Sequence, residues 1–175
     1  MMRPQERRRR IVERLKDAGE PVTGTELAEE FGVSRQVIVQ DIALLRAEGH
    51  DIIATLRGYL LPAPAAEGSV RRTFASVHTR ADIAEELNII VDNGGHVLDV
   101  VIEHPLYGEL RGLLMVRSRR DVEQFVAKMN EQGALPLLTL TGGPHLHTVE
   151  APSGEHLDRI ESALERAGFL LKADG

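Results

Sequence analysis

The sequence predicts a mixed α/β (α+β) chain in two parts, a helical part and then a sheet-containing one. Three observations predict it. Residues 62–69, PAPAAEGS, have no hydrophobic period and read as a short linker. Before that seam apolar residues recur at helical spacing, and after it two-residue alternation exchanges with helical period. Charge divides the same way: residues 1–62 hold ten Lys/Arg and ten Asp/Glu, which leaves eleven against seventeen for the rest of a chain with net charge −6. Such asymmetry suggests one part for a polyanion and another for a different task.

Composition narrows the classes further. At 175 residues and 42% hydrophobic content the chain can bury real cores, and with 3% aromatics and no Trp those cores rest on Leu, Ile, Val and Ala. With no Cys, disulfides and thiolate metal sites are excluded, and a metal would need His, Asp or Glu ligands. Such a chain suits a reducing cytoplasm, the expected location. No apolar run approaches the ~18 residues of a membrane span. The basic start MMRPQERRRR lacks the apolar stretch of a secretory signal.

The helical part reads in order. Ile11, Val12 and Leu15 predict a helix over 4–18 that stops at Gly19. TGTELAEEFG predicts a second over 24–31, with Thr23 as cap, Glu26 as its capping-box partner, and Leu27 and Phe31 inward. After the turn GVS, Ser34 caps a third helix carrying Val37, Ile38, Asp41, Ile42 and Leu45 on one stripe and ending at Gly49. DIIATLRGYLL then gives two short strands around a turn at Leu56–Gly58. Short helix, glycine turn, amphipathic helix and hairpin together make a winged helix-turn-helix. Ser34, Arg35, Gln36 and Gln40 line the first turns of its projecting helix. Arg bonds two acceptors on guanine and Gln does so on adenine, while Arg57 at the wing tip reaches a phosphate or the minor groove. The cluster Arg7–Arg10 is either a solvated helix end or a phosphate-contacting arm.

The stretch GTELAEEFGVSRQVIVQDIALLRAEGHDIIATLRGYLL resembles the winged helix-turn-helix of biotin-repressor type, in the version carried by niacin-responsive repressors. The resemblance implies that the helix after Ser34 enters the major groove of operator double-stranded DNA.

After the seam, strands are predicted near 70–78, 96–103, 110–116 and 144–151, and helices near 80–93, 119–132 and 154–168. Thr79 caps the first of these helices; Ser118 with Asp121 caps the second, which Gly133 ends. The βαββαβ order predicts an antiparallel sheet with helices on one face, an α/β sandwich. The expected domains are 1–62 (winged helix-turn-helix), 63–70 (linker) and 71–175 (the α/β sandwich). The apolar stripe Leu113–Val116 is a candidate dimer surface.

Six of the seven histidines lie after the seam, His78, His96, His104, His145, His147 and His156; of all seven, His50 and His156 read as surface residues. His145 and His147 share one strand face, where they either close on one ion or sit half-buried. If the last strand lies antiparallel beside the first, its start meets the end of the first, which carries His78, and Glu86 reaches in from the following helix. Three imidazoles and a carboxylate suit Zn²⁺, Ni²⁺, Co²⁺ or Fe²⁺. They do not suit Ca²⁺ or Mg²⁺. His104, before a proline turn, reads by itself as fixing that turn. Arg80 and Arg111, as lone arginines, read by themselves as surface ion pairs. His96 reads as a surface residue at a strand start.

SVHTRADIAEELNIIVDNGGHVLDVVIEHPLYGEL and LPLLTLTGGPHLHTVEAP resemble the three-histidine (3H) domain of niacin-responsive transcriptional repressors. The resemblance implies one divalent transition metal per chain on the residues matching His78, Glu86, His145 and His147. It also implies nicotinic acid as effector, which makes 71–175 a metal- and effector-binding domain with His104 as a pocket wall and Arg80 and Arg111 as candidate partners for the carboxylate. It further implies a homodimer and repression of niacin and NAD biosynthesis or uptake genes. Two rivals stand beside it: a pure metal sensor with the ion as corepressor, and a small metal-dependent hydrolase. Against the hydrolase, Glu86 is better placed as a ligand than as a base, so no enzyme is expected.

Overall fold

Pro4 opens helix α1 (Pro4–Ala18), where a missing N–H costs nothing, and Gly19 closes it with φ +64°. The computed structural model describes residues 1–172 and divides the chain into two compact units, 1–65 and from Ala66 onward. Residues 173–175, the end of the expected second domain, lie outside the described residues. No described helix is long and apolar enough to cross a membrane.

In the first unit, α2 (Gly24–Phe31) starts with the expected capping box: Thr23 Oγ1 accepts the Glu26 N–H at 3.1 Å, and Glu26 Oε2 accepts the Thr23 N–H at 2.7 Å. Gly32, at φ +65°, turns the chain into α3 (Arg35–Ala47), whose cap Ser34 accepts the Val37 N–H. Ile11, Leu15, Leu27, Ile38, Ile42, Leu45 and Ile52 form the core between the helices. Each such side chain contributes roughly 1.5–3 kcal/mol by burial. Strands β1 (Ile53–Thr55) and β2 (Gly58–Leu60) form the wing, and Val22 and Tyr59 exchange backbone hydrogen bonds at 2.8 Å to hold β2 to the body.

Gly58 sits where this exchange leaves no room. Its φ is +129°, and a Cβ there would stand 2.4 Å from the Val22 carbonyl oxygen. Gly58→Ala is therefore expected to destabilise this unit by about 1–3 kcal/mol, the scale of a forced backbone conformation. Urea denaturation of the full chain, followed by helical circular dichroism, measures it.

Arg7 is neither a solvated helix end nor a phosphate arm. It is 8% exposed, and its Nε donates to Asp41 Oδ2 on α3 at 2.6 Å. Arg8 comes within 3.5 Å of Asp41 Oδ1, while Arg9 and Arg10 pair along α1 with Glu13 and Glu6. A buried carboxylate on the amphipathic stripe of α3 needs a cation, and α1 supplies it.

The second unit contains β3 (Val70–Val77), a 3₁₀ turn (Arg80–Asp82), α4 (Ile83–Asp92), β4 (His96–His104), β5 (Gly108–Val116), α5 (Arg119–Glu131), a second 3₁₀ turn (Leu137–Leu140), β6 (Pro144–Ala151) and α6 (Gly154–Arg166). The sheet order is β3-β6-β4-β5, antiparallel throughout. The last strand lies beside the first, as expected, and also pairs with β4. Phe74, Val97, Val149 and Ala151 from the strands pack with Leu87 and Ile90 of α4, Val122 of α5, and Leu157, Ile160 and Leu164 of α6.

Three local expectations change. The helix expected from residue 80 begins as a 3₁₀ turn, and Thr79 makes no capping bond from its side chain. The helix expected to 168 stops at Arg166, because Gly168 (φ +78°) turns the chain back. Phe169 is thereby buried, and the chain runs along the edge of β3, with Val77 N–H on Phe169 O and Leu171 N–H on Ala75 O. Leu114 and Val116 of the supposed dimer stripe point into the core, and Leu113 and Met115 are half-buried. Ser118 does cap α5, accepting the Asp121 N–H.

Candidate metal centre and nucleic-acid interface

Antiparallel pairing of β3 with β6 sets Ser76 opposite His145 and Phe74 opposite His147, so the start of β6 adjoins the end of β3 and His78 just beyond it. Glu86, on the first turn of α4, faces the same place. All four side chains are buried: His78 8%, Glu86 1%, His145 4% and His147 5% exposed.

Each imidazole is anchored by the same device. Nδ1 of His78 meets the Thr79 carbonyl at 2.8 Å, that of His145 the Gly143 carbonyl at 2.6 Å, and that of His147 the Asp99 carbonyl at 2.7 Å. A carbonyl only accepts, so Nδ1 carries the hydrogen and donates, and Nε2 is turned the other way. All three Nε2 atoms face Glu86. His147 Nε2 lies 2.5 Å from Oε1, His145 Nε2 lies 3.2 Å from Oε2, and His78 Nε2 touches Oε2 without hydrogen-bond geometry. Ligand atoms of His78, Glu86 and His145 lie within 4.8 Å of one another, and His147 joins through the other carboxylate oxygen. Neighbouring rings stand edge to face, at 84° for His78 with His145 and 82° for His145 with His147.

Gly143 is required here. Its φ is +127°, and a Cβ would stand 2.9 Å from the His78 carbonyl oxygen. Only glycine lets the chain pass His78 and still aim its own carbonyl at His145.

With each Nδ1–H spent on a carbonyl, neutral imidazoles present three lone pairs to a carboxylate, which has no donor either. A cation or protons must lie between them. Burial alone would raise the Glu86 carboxyl, but the His147 charge and hydrogen bonds from His145 and His147 hold it well below the usual carboxylate range. Burial likewise pulls His147 down, and the adjoining Glu86 overcomes it, so His147 is raised. Three buried nitrogens and a carboxylate fit a divalent transition ion in donor type. The backbone carbonyls behind the imidazoles are the outer partners that such ligands ordinarily have.

The part played by Asp99 and by the carbonyls of Thr79 and Gly143 escaped the sequence reading. Asp99 had a signal, an acid in the middle of the apolar strand HVLDVVI. The other two act through carbonyls, which every residue carries.

The candidate effector residues are engaged elsewhere. His104 Nδ1 accepts the N–H groups of Leu106 and Tyr107 at 3.1 and 3.3 Å, and its ring stacks on Tyr107. That arrangement fixes the turn. Arg80 donates to Asn130 Oδ1 on α5. Arg111 lies 3.5 Å from Glu109 and 3.6 Å from Asp99, and so connects to the cluster through Asp99.

His96 is half-buried rather than on the surface. Burial, with Arg117 nearby, lowers it from the ordinary 6.5 to about 4, against the pull of Glu150 and Asp121. Between those pH values the unfolded chain binds the proton and the folded one does not. Stability contributed by neutral His96 is therefore complete above pH 6.5 and lost as pH falls towards 4. Urea midpoints measured from pH 7 to 4 should fall less steeply in His96→Gln than in the wild type.

On the first unit, Ser34, Arg35, Gln36 and Gln40 are all exposed along the first turns of α3. Arg57 sits in the wing turn, its N–H on Thr55 Oγ1. Three polar side chains able to read base edges stand on one capped helix beside a hairpin, the layout of a DNA-reading winged helix.

A winged helix-turn-helix joined to a separate sheet domain defines a class, the two-domain DNA-binding transcription regulators. Residues 7–60 match the model of an HTH domain, and residues 71–173 match that of the 3H domain. The chain is 50% identical over 168 residues to a probable transcription repressor, NiaR, of Thermotoga maritima, covering 96% of this chain and 95% of that one. It is 45% identical over 168 residues to the transcription repressor NadR of Bacillus subtilis, covering 95% and 93%. The chain belongs to this family of 3H-domain transcription repressors, the niacin-responsive family that its sequence resembles. It is a DNA-binding transcription repressor and not an enzyme, which sets the hydrolase reading aside.

Proposed function

We propose that this repressor carries one divalent transition metal per chain on His78, Glu86, His145 and His147, and answers to nicotinic acid. The observation that carries the reading is the convergence of three carbonyl-anchored imidazoles on one buried carboxylate. A bound ion would supply a Lewis-acidic centre with room for a further donor if its coordination rises above four, and nicotinate offers both a carboxylate and a pyridine nitrogen. Zn²⁺, Ni²⁺, Co²⁺ and Fe²⁺ all accept this donor set. Of the three residues offered for effector contact, Arg111 is the one tied to the cluster, through Asp99, whereas Arg80 and His104 would have to leave Asn130 and the turn at Leu106–Tyr107.

In this reading the protein works in the cytoplasm as a homodimer on operator DNA controlling niacin and NAD biosynthesis or uptake genes. Arg35, Gln36 and Gln40 read base edges, Ser34 holds the helix start, and Arg57 reaches the backbone or minor groove. Two reading heads sum their phosphate contacts, which compensates for a first part with no net positive charge. The effector must favour the DNA-ready arrangement by a differential free energy, typically ~1–3 kcal/mol.

Calorimetry of the metal-loaded protein with nicotinate, nicotinamide and NAD tests the reading. Heat from nicotinate alone is expected. No heat from nicotinate would leave the ion itself as corepressor, the pure metal-sensor reading.

A further inference from the structure

We infer that Asp99 is a positioning residue for the metal centre, one that frees its own backbone carbonyl to hold His147. The inference rests on the reading of His78, Glu86, His145 and His147 as metal ligands. Val97 opposes Val149 and Val101 opposes Leu146, so β4 residues 98–100 stand opposite β6 residues 147–148. One strand thus carries an extra residue, a β-bulge, a feature that re-aims groups next to functional sites. β5 compensates on the other side of β4, where the register also shifts between Val97 and Asp99, and Met115 of β5 takes φ +52°.

At the bulge the Asp99 carbonyl turns to the His147 ring, at 2.7 Å from Nδ1. The Thr148 N–H needs another acceptor, and Asp99 Oδ1 supplies it at 2.9 Å. One residue therefore makes both substitutions: its main chain holds the ligand and its side chain closes the ladder behind it. Asp99 is 3% exposed, and Arg111 lies 3.6 Å from its Oδ2. An acid in a central strand is costly in a purely structural sheet. Here the side chain takes the place of a missing backbone acceptor.

Removing Oδ1 leaves Thr148 N–H without its acceptor, and the ladder regains one by drawing the Asp99 carbonyl away from His147. Asn keeps the acceptor and loses only the charge. The test is Co²⁺ binding to the full chain, read by calorimetry and by the visible d–d spectrum. Asp99→Ala is expected to lose about 10–100-fold in Co²⁺ affinity, the usual cost of an outer partner, and to change the spectrum. Asp99→Asn should recover wild-type affinity and spectrum. Wild-type affinity and spectrum in Asp99→Ala would overturn the inference while leaving the metal centre standing. A wild-type protein that takes up no Co²⁺ would overturn both. If Asp99→Ala does not fold, Asp99→Val fills the space with a strand-forming side chain and carries the same expectation. The zinc-loaded wild type gives an independent reading: long-range ¹⁵N–¹H spectra should show His147 protonated at Nδ1, and a proton at Nε2 instead would overturn the inference.

Discussion

A chain carrying His145→Ala and His147→Ala together is expected to lose its metal, and with it any response to nicotinate, while the first unit stays folded. Two of four ligands go, leaving His78 and Glu86. Losing even an outer partner costs about 10–100-fold, so losing two inner donors puts affinity beyond a usable range. The clearest measurement is thermal or urea unfolding with and without added Zn²⁺ or Ni²⁺. A ligand at a thousand times its Kd stabilises the folded state by about 4 kcal/mol, which the wild type should gain and the double variant should not. Unequal transitions for the two units are expected in the variant, since the helix-turn-helix core shares no residue with the cluster. An unchanged metal-dependent stabilisation would remove these two histidines from the ligand set.

The second large effect lies in the DNA-reading unit. Asp41→Ala is expected to destabilise that unit by about 3–5 kcal/mol, because it strands Arg7 as an unpaired buried charge. The pair is 10% and 4% exposed by side chain, and its 2.6 Å bond ties α1 to the helix that presents Arg35, Gln36 and Gln40. Replacing both partners with apolar residues, Arg7→Met with Asp41→Leu, should restore part of the loss, since it removes the Arg7 charge while Arg8 beside it still loses Asp41. Urea unfolding of single and double variants measures this, and a double variant no better than the singles would show that α3 needs the ion pair itself. Operator affinity of the refolded double variant then reports whether the pair also sets the angle of α3.

The boundaries of most elements were legible because each rests on local chemistry. Thr23 with Glu26, Ser34 and Ser118 each cap the helix that their spacing announced. The meeting of His78 with His145 and His147 was legible one level up, from strand order, since an antiparallel last strand beside the first brings residue 145 to residue 78. Arg7 was not legible, because its partner Asp41 lies 34 residues away on another helix. Nor were the carbonyls of Thr79, Gly143 and Asp99, whose role depends on where the backbone turns and not on which side chain it carries. The end of α6 was missed for a related reason: Gly168 stops the helix, yet Phe169 looks like one more apolar position until the β3 edge is there to receive it.

Diffraction from crystals of the metal-loaded protein, collected at the absorption edge of the ion, addresses the central claim directly. One anomalous peak per chain is expected, within about 2.0–2.2 Å of Nε2 of His78, His145 and His147 and of a Glu86 oxygen. No peak there, or a peak on other residues, would contradict the account.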